Sequence, residues 1–330
     1  MSIKIIAELA QGYEGKPKQT IKLAKEALQT NCDAIKFQCL FADETAVPNY
    51  QHYKFFKKLE MDLSVWKKVN QLVKKNKKEL ILNVSGFQSL NIAKELNLKT
   101  IKLHTTHFFF NDLISEVKKN FENLYFSIGG IKLQEIYAFV KLHNFNNKKY
   151  NKRINFTYGF QSNPTPIEKN NLLKLSGFIK EFPNFNFGFE DHTSKKSNFK
   201  LIVPLLSLPL GVKHIEKHFT LKNKNIEDSE SALNKKEFSN FVKNIRIMEK
   251  ALGDGNLNLN QEETRYRKKM LKVVIANHKI KKGSLLKKKD VSLKRIQNVK
   301  SSCINKIEKV IGKKTKKNLK KFSPILEGNI

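Results

Sequence analysis

Between residues 3 and 252 the chain repeats one pattern eight times: a short run rich in β-branched and aromatic residues, then a stretch of helical periodicity. IKIIAEL (3–9) precedes a helix that starts at Pro17 and runs to about Thr30, and AIKFQ (34–38) precedes an insertion and a helix over 64–76. ELILNVS (79–85) leads to 89–96, TIKLHTT (100–106) to 111–120, and LYFSIGG (124–130) to 132–143. RINFTYG (153–159) leads to 167–181, FNFGFED (185–191) to 196–208, and KHIEKHFT (213–220) to 235–252. Strands alternating with helices imply parallel β/α units, and eight units in roughly 250 residues predict a closed (β/α)8 TIM barrel. A doubly wound open sheet is the rival, but AELAQGYEG after the first strand is not the GxGxxG phosphate loop that such a sheet usually carries.

The periodicity stops at ALGDGNLNLNQEE (251–263), which reads as a linker. The expected division is a barrel over 1–253, a linker over 254–269 and a small domain over 270–330. So short a tail is expected to dock on something for stability. It is also basic: residues 264–330 hold 22 Lys or Arg against three Asp or Glu, within a chain of net charge +33. Nucleic-acid binding through this region is one reading. The lysine doublets lack interleaved aromatics, however, so a field that attracts a small anionic substrate is preferred. No apolar run of about 18 residues predicts a membrane span. The start, MSIKIIAELAQ, reads as a strand rather than a signal peptide, and three cysteines suggest a reducing, cytoplasmic setting.

Chemistry in such a barrel belongs at the C-terminal ends of the strands. Those ends carry Glu8, Lys36, Gln38, Ser85, Lys102, His104, Thr105, Ser127, Gln161, Asp191, His192, Glu216 and His218. Two lysines converging on one mouth point to a phosphate or carboxylate ligand. Two histidines on the last two strands could hold a divalent metal with positions left open for substrate oxygens. In GVKHIEKHFTL (211–221), strand alternation puts His214, Glu216 and His218 on the inner row, with Ile215 and Phe219 toward the helices. His214 sits deeper than His218 and reads as a packing or orienting residue. Each residue alone has a plainer reading: a solvated lysine, a loop-capping Asp191, or Glu216 as the buried partner of Lys217 or Lys36.

The order of IAEL, DAIKFQ, IKLHTT, FSIGG, GFEDHT, IEKHFTL and KNIRIMEKALG, with a tail of IKKG, DVSLKR, VIGKK and SPILEGNI, resembles the sialic acid synthase family along essentially the whole chain. GFEDHT with IEKHFTL is the specific pair. The resemblance implies a TIM barrel followed by a small antifreeze-like (SAF) domain. It further implies condensation of phosphoenolpyruvate with the open-chain aldehyde of an N-acylated hexosamine, with C–O cleavage and phosphate release. Carried over, His192 and His218 bind Mn²⁺ or Mg²⁺. Lys36, Lys102, Thr105, Ser127, Gln38 and Gln161 hold phosphoenolpyruvate, and Glu8 and Glu216 handle protons or orient groups. Tyr13, Asn163 and Asp191 fall to the sugar acceptor. Arg295 is expected to reach a partner's barrel mouth in a domain-exchanged homodimer.

This sequence departs from the family pattern at several places. Gly12-Tyr13 replaces the usual Asn-His, Gln161 an asparagine or serine, Asn163 a tyrosine, and His107 an acidic residue. Ile296 stands where the family's arginine is followed by Pro-Gly. Glu190 replaces a small residue beside His192, and the sequence leaves open whether it faces the phosphate site. Phosphoenolpyruvate and metal elements thus survive better than acceptor elements, which suggests a synthase with a shifted acceptor. A sugar-binding relative without turnover is the alternative.

Overall fold

The computed structural model describes residues 2–150, 152–160, 162–221 and 226–330, and the chain divides into two compact units after Gly253. In the first unit, β1 (Lys4–Ala10), α1 (Pro17–Leu28) and β2 (Ala34–Cys39) form the opening β/α repeat. The insertion holds two short helices, α2 (Ala42–Thr45) and α3 (Tyr53–Leu59), before α4 (Leu63–Lys75). There follow β3 (Glu79–Val84), α5 (Phe87–Glu95), β4 (Thr100–Leu103), α6 (Asn111–Asn120), β5 (Asn123–Ser127) and α7 (Leu133–Leu142). The unit finishes with β6 (Ile154–Tyr158), α8 (Leu173–Glu181), β7 (Asn186–Asp191), β8 (His214–His218) and α9 (Lys235–Leu252). All eight strands are parallel, each pairs with the next, and β8 pairs with β1 to close the barrel.

The strands read as nearly unbroken apolar runs because both faces are buried. Ile5, Ala7, Ile35, Phe37, Leu80 and Leu82 point outward into the core beneath the helices. The alternate residues Ile6, Ala34, Ile81 and Tyr125 form a separate apolar cluster inside the barrel. Two residues further along the same strands, the inward positions become Glu8, Lys36, Asn83 and Ser127. The barrel is therefore sealed by hydrocarbon at one level and polar at the next. This change of character marks the functional end.

One expected helix is absent. Between β7 and β8, where a helix over 196–208 was expected, the chain turns and then runs as a 3₁₀ segment, Val203–Leu210. Pro204 and Pro209 each lack the N–H that an α-helical ladder would need. The helix expected from 167 begins only at Leu173, after a 3₁₀ turn at Ile167–Lys169 and left-handed backbone at Asn171.

The second unit contains α10 (Gln261–Met270), β9 (Val273–Ala276) and β10 (Val291–Lys294), the last two paired antiparallel. Of the stretch read as a linker, 254–260 has no regular structure and 261–269 lies in α10, which a capping box between Asn260 and Glu263 starts. No residue of α10 is buried. Val274, Ala276, Leu286, Val291, Val310 and Ile325 belong to this unit's own core. No helix among the described residues is long and apolar enough to cross a membrane.

Candidate active site

Strand register assembles the site. Glu8 is level with Lys36 on β2 and with His218 on β8, while Glu190 on β7 is level with Glu216 on β8. Two carboxylates side by side on neighbouring strands repel unless a cation joins them. Lys102, from β4 across the barrel, supplies it: its Nζ lies 3.0 Å from Glu216 Oε2 and is ion-paired with Glu190. Lys36 makes the matching link, 2.6 Å from Glu216 Oε1 and paired with Glu8. Ser127 Oγ donates to Glu190 Oε1 at 2.7 Å, and the Ala10 N–H donates to Glu8 Oε1 at 2.6 Å. Two ammonium groups and three carboxyl groups thus form one buried tier.

Burial sets the titration of this tier. It drives Glu8 up to about 8, with the Lys36 ammonium opposing and the Glu216 carboxylate adding to the rise. Burial draws Lys102 down to about 7 against the pull of Glu216. At Lys36, burial is outweighed by Glu216 and Glu8, which hold the ammonium above its usual range. At Glu216, burial is outweighed by Lys102 and Lys36, which hold the carboxylate well below its usual range.

Above the tier opens a cavity of about 320 Å³. His192 and His218 line it together, with ring centroids 5.1 Å apart. Burial lowers both imidazoles to about 3, so both are neutral near pH 7. His192 Nδ1 is buried without a hydrogen-bond partner among the described residues. A neutral imidazole with an unsatisfied ring nitrogen suits a metal ligand. The described residues hold no group of three or more His, Cys, Asp or Glu able to take a metal. The protein would therefore supply two nitrogens and leave other positions to substrate or water, which fits a catalytic rather than a structural ion.

Two glycines make room for this arrangement. A Cβ on Gly188 would lie 2.1 Å from the His214 imidazole, so β7 must be bare where His214 crosses the interior. A Cβ on Gly159 would lie 2.3 Å from the Glu190 carbonyl oxygen. His214 itself is buried, with Nε2 3.0 Å from Thr157 Oγ1 and its ring edge against Tyr125. It is a structural residue, as its depth in the strand suggested.

The structure brings together Glu8, Lys36, Lys102, Ser127 and Glu216 in the tier, and Gln38, Asn163, His192 and His218 around the cavity. It corrects other expectations. Tyr13 does not face the acceptor: it is fully buried between Phe37 and Trp66, with its hydroxyl 2.9 Å from the Gln38 carbonyl oxygen. Asp191 likewise faces the helices, 2.6 Å from Lys217 Nζ, and accepts from the Thr193 N–H and hydroxyl. Alternation along β7 turns Asp191 outward because Glu190 turns inward. Lys36 and Lys102 lie beneath the cavity rather than in its lining, and no Lys or Arg is among the described lining residues. Thr105 donates from Oγ1 to the Ser127 carbonyl at 3.3 Å, while its neighbour Thr106 reaches the cavity. His107 also lines it. Gln161 lies outside the described residues. Arg295 is exposed, just after β10 in the second unit.

Several cavity residues carry no signal that singles them out in the sequence, Asn83, Gln11 and Asp228 among them. Asn83, two residues before Ser85, lines the cavity, as alternation from the inward Ile81 implies. Gln11, whose amide donates to Gln38 Oε1 at 2.7 Å, sits in the turn after β1. Asp228 lies in the patternless loop after β8, near the Gln11 N–H and Asn163 Nδ2. Loop residues carry no periodic signal, so only the closed fold places them.

Residues 21–257 match the NeuB family and residues 272–330 match the SAF domain. The chain is 30% identical to an uncharacterized protein of Methanocaldococcus jannaschii over 88% of this chain and 84% of that one. It is 26% identical to the N,N'-diacetyllegionaminic acid synthase of Campylobacter jejuni over 98% of both. Its fold is shared with the N-acetylneuraminic acid (sialic acid) synthetase of Leptospira borgpetersenii, at TM-score 0.73 and 23% identity, over 82% of this chain and 93% of that one.

Proposed function

The chain belongs to the NeuB family, and on that premise we propose that it condenses phosphoenolpyruvate with the aldehyde of an N-acylated hexosamine, giving a nonulosonic acid and phosphate. The observation that carries this reading is the vertical order of the site: a lysine–carboxylate tier directly beneath a cavity walled by two neutral imidazoles. The match to an acid synthase over 98% of both chains supports it.

His192 and His218 would hold a divalent ion, Mn²⁺ or Mg²⁺, whose contribution is Lewis-acid polarisation of the aldehyde oxygen. Lys36 and Lys102 pair with the anionic groups of phosphoenolpyruvate, and the side chain of Gln38 adds a hydrogen bond from the cavity edge. Glu8, protonated near neutral pH by virtue of its burial, holds a proton beside Lys36 for delivery during condensation. Glu216 keeps both lysines charged-paired and in position. The enol carbon attacks the aldehyde carbon, water adds to the resulting cationic carbon, and the tetrahedral intermediate expels phosphate by C–O cleavage. Asn163, Gln11 and Asp228 stand where they can hydrogen-bond a polyhydroxylated acceptor. Arg295 acts, on this reading, at the barrel mouth of a partner subunit in a domain-exchanged dimer.

The test is phosphate release from phosphoenolpyruvate with Mn²⁺ across a panel of aldoses, with products identified by mass and His218→Ala as control. Release with one sugar, lost in the variant and on chelation, supports the synthase. Sugar binding without release would favour a non-catalytic relative, a reading helped by the carboxylate partners that both lysines already carry.

A further inference from the structure

We propose that Glu190 is a built-in occupant of the anion seat formed by Lys102 and Ser127, and that a substrate anion is held there only after this carboxylate moves aside. The inference rests on the reading above, in which the lysine tier receives an anionic donor, and it identifies a residue that sets the affinity for that donor.

An ammonium from β4 and a hydroxyl from β5 meet on a single oxygen, Glu190 Oε1. A cationic donor and a neutral donor converging on one point are what a phosphate or carboxylate oxygen requires. Here the requirement is met from within the chain. The seat is closed to solvent, with Lys102 1% exposed, Ser127 0% and Glu190 3%. A lysine so buried needs a counter-ion, and Glu190 with Glu216 provides it.

The alternatives for an incoming anion are few. Among the described residues that line the cavity there is no Lys or Arg, so within that lining no cation competes with the tier below for an incoming anion. In that tier the two ammonium groups, Lys36 and Lys102, are already matched by the carboxylates of Glu216 and Glu190, with the Glu8 carboxyl beside Lys36. A phosphate placed beside Lys102 with Glu190 still in place meets a like charge at contact distance, an arrangement that opposes its binding. Glu216 is a poorer candidate to yield, because it joins both lysines at once. The movement is one of the side chain, since the Glu190 backbone is held in the β7 ladder opposite Glu216 on β8.

The test uses the full-length protein and inorganic phosphate, titrated calorimetrically in enough salt to suppress surface binding. Glu190→Gln and Glu190→Ala are compared with the wild type, each checked for folding by circular dichroism. Both variants should bind phosphate at least about tenfold more tightly, as removal of a contacting like charge requires. Adding Lys102→Gln to either should abolish the gain. Equal or weaker binding by the folded variants overturns the inference, as does failure of both to fold, which would mean that the carboxylate cannot leave the seat. Turnover of phosphoenolpyruvate is scored separately. Wild-type turnover with no tightening in the variants sinks the seat and spares the synthase. Tightening without turnover by any of the proteins sustains the seat and sinks the synthase.

Discussion

Glu190 and Glu216 are register partners on adjacent strands, and both carboxylates meet the ammonium of Lys102. Removing that ammonium would leave two like charges buried side by side. Lys102→Met should therefore destabilise the protein by about 3–5 kcal/mol, the usual cost of breaking a buried pair. Adding Glu190→Gln should recover part of the loss. Urea denaturation of the two variants checks this, and equal midpoints for single and double variant would contradict it.

The contact between Gly188 and the His214 imidazole makes a second prediction. Gly188→Ala forces a Cβ to 2.1 Å from the ring, an overlap that cannot persist. The expected cost is about 1–3 kcal/mol, typical of overpacking. Because the clash is with one side chain, His214→Ala should make the same glycine substitution much milder. A double-mutant cycle reads the coupling, and additive effects would show that the strain lies elsewhere.

Burial holds His214 at about 3, below its unfolded value of about 6.5. A base whose folded pKa is depressed is neutral in both states above pH 6.5. As the pH falls from 6.5 toward 3, the unfolded chain takes up the proton and the folded chain does not, so stability is lost across that window. His214→Gln should flatten the pH dependence of the urea midpoint there by about one proton's worth of slope. Glu8 acts in the opposite direction: raised to about 8, it stabilises below pH 4.5, and that contribution fades as pH climbs through 8. Glu8→Gln should remove the part of the decline that falls between about pH 4.5 and 8.

Asp191 was expected at the acceptor and instead pairs with Lys217 beneath the helices. Asp191→Ala leaves a buried ammonium unpaired and should cost about 3–5 kcal/mol of stability. The enzyme that remains folded should show an unchanged KM for its sugar. A raised KM with unaltered stability would return Asp191 to the site.

The barrel was legible because its signal is repetitive. Eight strand runs and their helices declare themselves through periodicity, and where two prolines broke the pattern the seventh helix gave way to 3₁₀ turns. The inner row of β8 was legible for the same reason, since a strand has only two faces: His214, Glu216 and His218 had to share one. Where reading failed, the signal was local or absent. Tyr13 sits in a loop, and nothing in its neighbours shows that Trp66 closes over it. Asp228 reaches the cavity from a loop with no period at all.

The sequence by itself determined the closed α/β barrel, its polar strand ends and the inward imidazoles, because backbone periodicity and side-chain alternation are properties of neighbouring residues. Only the tertiary structure decided which charges meet. Lys102 and Glu190 are 88 positions apart, and their pairing depends on strand register around the closed ring. Whether Glu190 faced in or out turned on a single step of alternation along β7. Electrostatic partners in a barrel are chosen across its interior, and no local rule reaches that far.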